Sequence, residues 1–233
     1  MDVSHELFIE IRQQPISTST FADLLDTYGV GEVLCRNIVS RNTQRHYFIG
    51  HAYTVEWERV RKTGDITRAQ PSTWEQVKDF LVPDLSSARD LVYVAGAGAL
   101  TTDAALAGGL SCTYFAKLGF EGIVLGGSVR DAAEVRALTT PVLASNFTPV
   151  DTQGAYRVRS TGESCMIEGS RVTSGDVVVS DDNGTVVFPA PLLGELYEKA
   201  LEIERIEGEI LATLRNGHDH RSLASLVEER NRI

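Results

Sequence analysis

Between Leu91 and Ser145 the chain alternates short apolar runs with glycine-led helical stretches, and this alternation limits the possible folds more than any other feature. Leu91 to Ala95, Ile123 to Leu125 and Val142 to Ser145 are brief and almost wholly apolar, the pattern of strands buried on both faces. A helix over Leu110 to Leu118, led by Gly108 and Gly109, separates the first two. A second helix, Asp131 to Leu138, follows Gly126 and Gly127. Strand–helix–strand–helix–strand is the order of a mainly parallel sheet in an α/β protein.

The flanks complete the outline. Asp2 to Arg12 has helical spacing and ends before Pro15. Ser19 or Thr20 caps a short helix that Gly29 stops. Val33 to Val39 and His51 to Val60 read as strands, the second with Tyr53, Val55 and Trp57 alternating on one face. Arg59 to Gln70 is a polar loop, and Ser72 to Glu75 is a capping box opening a helix that Pro83 closes. Beyond Ser145 the pattern changes to short β-rich runs at Tyr156 to Val158, Cys165 to Ile167, Asp176 to Val179 and Thr185 to Phe188. Asn183-Gly184 marks a hairpin between the last two. These runs predict a second, antiparallel β layer. Pro191 to Leu214 is one long amphipathic helix, with Leu193, Leu196, Ala200, Ile203, Ile206, Ile210 and Leu214 on one side. That stripe exceeds what one subunit covers and predicts self-association.

Composition narrows the function. The 233 residues are 42% hydrophobic, enough for one core without staples. Acidic residues outnumber basic ones by 32 to 22, a net charge of −10. This excludes a general nucleic-acid or anionic-membrane binder, which needs a basic face. A small anionic substrate remains possible, because it feels a local field. Cys35, Cys112 and Cys165 are odd in number and widely spaced, so neither a disulfide framework nor a zinc knuckle is expected. With no span of about 20 apolar residues and no secretory leader, a cytoplasmic protein is expected.

Two glycine turns carry the chemistry. In Gly108-Gly109-Leu110-Ser111 the glycines precede a helix whose N-terminal amides and dipole favour an anion. In Gly126 to Asp131 (GGSVRD) the glycines allow a sharp turn with room for a ligand. Arg130 then offers a planar, permanent cation suited to a carboxylate or enolate oxygen. Asp131 is a hard oxygen donor suited to a divalent metal. The competing assignment has Asp131 capping its helix and Arg130 in a structural ion pair. Both turns sit in consecutive units of one sheet, so they open on the same edge. Together they describe a pocket for a 2-oxo acid held by charge, with room for a metal.

Other signals carry less. Gly96 to Thr101 mimics a dinucleotide turn, but Thr101 stands where the third glycine belongs. His218 and His220 fall in a polar tail, and His46 and His51 flank a strand. Cys112, just inside the glycine-led helix, has no identifiable base and reads as a small buried side chain.

The run from Gly96 to Asp131, ending in GFEGIVLGGSVRD, resembles the RraA-like family. That family joins regulators of ribonuclease E to class II 4-hydroxy-4-methyl-2-oxoglutarate aldolases, some of which decarboxylate oxaloacetate. STSTFADLLDTYG, GHAYTV and GDVVVSDDNGTVVFP are similar to further family motifs, so the likeness covers Ser17 to Pro189. It implies a single domain over residues 1–233, with a core of about 17–189 and a helical extension of 190–233. It also implies a swivelling β/β/α fold, a homotrimer or homohexamer, and sites between subunits. By resemblance, Gly108, Gly109, Leu110 and Ser111 bind a small 2-oxo acid, Arg130 is catalytic and binds substrate, and Asp131 holds Mg2+ or Mn2+. The implied reaction is cleavage or decarboxylation through a pyruvate-type enolate. One departure stands out: family enzymes usually carry Asp or Glu where this chain has Gly109. Asp103, or Glu204, Glu207 or Glu209 of a neighbouring subunit, are candidates to replace that acid. The departure also leaves room for a non-catalytic regulator that acts by binding protein, or a repurposed enzyme for a bulkier acid.

Overall fold

The computed structural model describes residues 3–60, 85–217 and 220–233. The polar loop beyond Val60, the capping-box helix after Ser72 and the tail residue His218 lie outside them.

The described chain is an α/β fold. Helices α1 (Val3–Gln13) and α2 (Thr18–Tyr28) come first, followed by strands β1 (Glu32–Val33), β2 (Val39–Ser40), β3 (Phe48–Arg59), β4 (Leu91–Gly96) and β5 (Thr101–Ala107). Next are α3 (Gly109–Leu118), β6 (Gly122–Leu125), β7 (Gly127–Val129), α4 (Ala132–Arg136) and β8 (Val142–Ala144). Strands β9 (Tyr156–Thr161), β10 (Ser164–Ile167), β11 (Ser170–Thr173), β12 (Val177–Asp181) and β13 (Gly184–Phe188) lead to α5 (Leu193–Arg215) and α6 (His220–Arg230).

Among the described residues, the main sheet runs β1-β13-β12-β3-β4-β6-β8-β2, with β9 also paired to β3. Its centre, β3-β4-β6-β8, is parallel. The β12–β13 hairpin extends one side in antiparallel register, and two-stranded pairs β10–β11 and β5–β7 stand apart. The turn of β12–β13 is Asp182-Asn183, since Asp181 pairs with Gly184.

Alternation along the central strands sorts two cores. On one face Val92, Val94, Val124 and Leu143 pack with Phe48, Val178 and Val187, covered by Cys165, Ile167 and Val172. On the other, Tyr93, Ala95, Ile123, Leu125 and Val142 meet Cys112 and Phe115 of α3, with the Tyr93 and Phe115 rings stacked 4.0 Å apart. A third cluster seats α1, α2 and α5 on the β12–β13 hairpin, through Phe8, Phe21, Val177, Phe188, Leu196 and Ile203. The long helix thus buries its stripe as far as Ile206, while Leu211 and Leu214 are exposed.

Two expectations change. Val33 to Val39 is not one strand. It supplies β1 and β2 at opposite ends of the sheet, joined by a turn in which Ile38 N–H bonds to Cys35 O. Nor do Gly126 and Gly127 open on a ligand. A Cβ at Gly126 would lie 2.9 Å from Ile167, and one at Gly127 would lie 2.7 Å from Thr101. Both glycines let neighbouring chain segments pack closely.

Candidate functional site

The site is positioned by the small parallel pair β5–β7, not by the central sheet. Ala107 and Val129 are register partners at the ends of these strands. Each is the last residue before a turn: Gly108 follows one and Arg130 the other. Arg130 N–H donates to Ala107 O at 3.1 Å, which clamps the two exits side by side. Behind them, buried Ser128 Oγ lies within hydrogen-bond distance of Thr101 O and of Asn146 Oδ1, to one of which it donates.

The bonds at the turns are specific. Gly109 N–H donates to Asp131 Oδ2 at 2.9 Å, and Gly108 N–H to Ser111 Oγ at 3.3 Å. Two amides expected to be free for an anion are therefore already engaged by side chains. The next two, of Leu110 and Ser111, have no acceptor among the described residues. A side chain at 108 would displace the site's own groups: its Cβ would lie 2.6 Å from Asp131 Oδ2 and 2.9 Å from Arg130 Cγ.

Asp131 occupies the N-cap position of α4 with φ 61°, the left-handed region that side chains seldom adopt. Its carboxylate makes no cap bond to α4. It reaches instead to α3, so the helix-capping assignment does not describe it. Non-glycine residues held in that region cost about 1–3 kcal/mol and cluster at functional sites. Arg130 Nε lies 3.6 Å from Asp131 Oδ2, and Nη1 lies 3.3 Å from Asp151 Oδ2. The ion pair expected of a structural arginine is thus present, with two carboxylates sharing one guanidinium. Asp151 is the residue that sequence reasoning missed, and nothing local in Pro149 to Thr152 (PVDT) marks it.

A cleft of about 430 Å3 opens beside these groups, lined by Gly109, Leu110, Thr113, Lys117, Asp131 and Glu134, with Tyr114 alongside. Leu110 is 69% exposed at its mouth. No cluster of three or more His, Cys, Asp or Glu able to hold a metal occurs among the described residues. The donors present still fit a magnesium-like ion. Mg2+ keeps several waters and is held by one or two carboxylates together with substrate oxygens. Asp131, with one oxygen fixed by Gly109 N–H, is such a donor, and the glycine at 108 lets its carboxylate sit close against the start of α3.

The other candidates have structural partners. Asp103 accepts from Arg59 and from Tyr156 OH. Glu204 accepts from Thr20 Oγ1, Glu207 pairs with Arg230, and Glu209 with Arg205. His46 bonds Ser180 Oγ, and burial lowers its pKa. His51 bonds Gly175 O. Cys112 is fully buried, and burial pushes its thiol up to about 12, so it is no nucleophile.

Residues 18–187 match the family model described as RraA-like, Aldolase/RraA. The chain belongs to the RraA-like family. An uncharacterized protein of Methanocaldococcus jannaschii is 34% identical over 63% of this chain and 70% of its own length. Protein DlpA of Legionella pneumophila is 24% identical over 86% of this chain, which spans only 31% of DlpA. Among solved structures, Streptomyces coelicolor RraAS2, described as an unusual member of the RNase ES inhibitor RraA family, superposes with a TM-score of 0.72 at 24% identity. That match covers 90% of this chain and 98% of RraAS2. An uncharacterized Pseudomonas syringae protein gives 0.73 at 20% identity, over 94% of this chain and 96% of its own. These likenesses establish the RraA fold. The family model groups aldolases with RraA proteins. None of the described helices is long and apolar enough to cross a membrane.

Proposed function

We propose that this chain is a divalent-metal-dependent lyase that cleaves or decarboxylates a small 2-oxo acid. The observation that carries the reading is the Gly109–Asp131 bond, which joins a glycine-led helix start to a carboxylate at one edge of a cleft, with the Arg130 guanidinium 3.6 Å from that carboxylate. Asp131, Glu134 and Asp151 together carry more negative charge than Arg130 and Lys117 offset. An anionic substrate is therefore repelled unless a cation joins it. Mg2+ or Mn2+, bound at Asp131, supplies Lewis-acid polarisation of the 2-oxo group and charge neutralisation.

The protein's own groups do the rest. The free amides of Leu110 and Ser111 bind the substrate carboxylate at the positive end of α3. Arg130 faces the 2-oxo oxygen. In oxaloacetate the C3–C4 bond breaks, carbon dioxide leaves, and the electron pair moves to give the pyruvate enolate. Arg130 stabilises the oxygen anion as it develops, and C3 then takes a proton to give pyruvate. In retro-aldol cleavage of a 4-hydroxy-2-oxo acid the 4-hydroxyl gives its proton to water, the C3–C4 bond breaks, C4 leaves as a carbonyl compound, and the electron pair gives the same enolate. The test is pyruvate release from either acid, with and without Mg2+, in the wild type and in Arg130→Ala and Asp131→Ala. Activity persisting in both variants refutes the roles assigned.

A second reading is favoured by the two carboxylates that already neutralise Arg130 and by Leu110 exposed at the cleft mouth. Here the chain is a non-catalytic regulator that binds a protein. Absence of Mn2+ binding in calorimetry, even with oxalate present, selects it. Assembly as a trimer or hexamer, a cytoplasmic location and a bulkier acid as substrate belong to the same proposal.

A further inference from the structure

Asp131 and Glu134 stand three residues apart, at the N-cap and third position of α4, the sequence pattern of a capping box. In a working box, each side chain bonds the other's backbone amide. Neither does so here. Asp131 reaches to Gly109 on α3, and the Glu134 carboxylate has no partner among the described residues. Both line the same cleft. Asp131 shares the Arg130 guanidinium and accepts from Gly109 N–H, whereas the Glu134 charge at the same opening is uncompensated among the described residues.

Space explains why Glu134 is there. A Cβ on Gly109 would lie 2.7 Å from Glu134 Cβ and 3.1 Å from its Cγ. Positions 109 and 134 therefore compete for one volume. The Cβ on Gly109 would also lie 3.0 Å from Asp131 Cβ, so a side chain at 109 would crowd both carboxylate residues at the start of α4.

We infer that Glu134 is the second carboxylate of the cation site, supplied from α4 because Gly109 has no side chain to supply it from α3. It acts on the cation's water shell beside Asp131 and is a positioning residue, not a catalytic one. This rests on the cation site proposed above.

The test is calorimetric titration of the full chain with Mn2+, alone and with oxalate. Asp131→Asn is expected to abolish binding. Glu134→Gln is expected to weaken it about 10–100-fold, the usual effect of removing a group that orients a metal's ligands, with unchanged stoichiometry. Gly109→Asp in a Glu134→Gly background is expected to regain affinity over Glu134→Gly alone. Gly109→Asp in the wild type is expected to lower the melting temperature. If Asp131→Asn abolishes binding while Glu134→Gln leaves it within twofold, Glu134 has no such role and the cation site stands. If Asp131→Asn leaves binding intact, or the wild type binds no Mn2+, the cation site and this inference fall together. A Gly109→Asp protein as stable as wild type overturns the competition for space.

Discussion

At the scale of single residues, the account depends on how closely Gly108 approaches Asp131, since a Cβ at 108 would press on the carboxylate. Gly108→Ala is expected to fold with nearly wild-type stability, yet to lose at least tenfold in Mn2+ affinity as Asp131 is displaced. Calorimetry beside a thermal melt checks this, and unchanged affinity would mean that Asp131 is not the cation's donor. The chemical types at the site were legible in the sequence: Arg130, Asp131 and the glycines of Gly108 to Ser111 are named by motif alone. Their partners were not. Asp151 comes from a separate loop, and Glu134 gains meaning only from the volume it shares with Gly109. Neither relation leaves a mark in spacing along the chain.

At the scale of elements, apolar runs predicted β4, β6 and β8 because burial on both faces requires them to be apolar throughout, and alternation predicted β3. The pair that positions the site escaped the same logic. Thr101–Ala107 (TTDAALA) is rich in alanine, a helix former, and Gly127–Val129 is three residues long. What makes them strands is their pairing with each other. Another element depends on a single acid. Thr18, at the start of α2, donates its amide and hydroxyl to Asp181 at 2.9 and 2.6 Å. Burial raises the Asp181 pKa, but the bonds from Thr18 and Asn183 outweigh it and leave the pKa lowered. The stabilisation is therefore complete above the ordinary carboxylate range and is lost as pH falls through the lowered value. Asp181→Ala is expected to cost about 1–3 kcal/mol at pH 7. That difference is expected to shrink towards pH 3. Urea unfolding across pH measures it, and a pH-independent difference would contradict the assignment.

At the scale of the molecule, the chain's fold and family were legible, and its closure was not. The curl of the sheet brings β1 and β2 to opposite edges, a property of the assembled strands and not of Val33 to Val39. The stripe on α5 was read as longer than one subunit covers. The fold buries it through Ile206 and leaves Leu211 and Leu214 exposed. If subunits meet there, Leu211→Glu with Leu214→Glu is expected to lower the mass measured by light scattering at micromolar concentration; an unchanged mass would place any subunit contact elsewhere. The central claim is that Arg130 and Asp131 work with a cation on a 2-oxo acid. It is tested most directly by the initial rate of pyruvate release from oxaloacetate in Mg2+, corrected for the protein-free rate at the same Mg2+ concentration. The account predicts a rate abolished by chelator and lowered at least 100-fold in both Arg130→Ala and Asp131→Ala. A wild-type rate no faster than Mg2+ alone, or variants as fast as wild type, would contradict it.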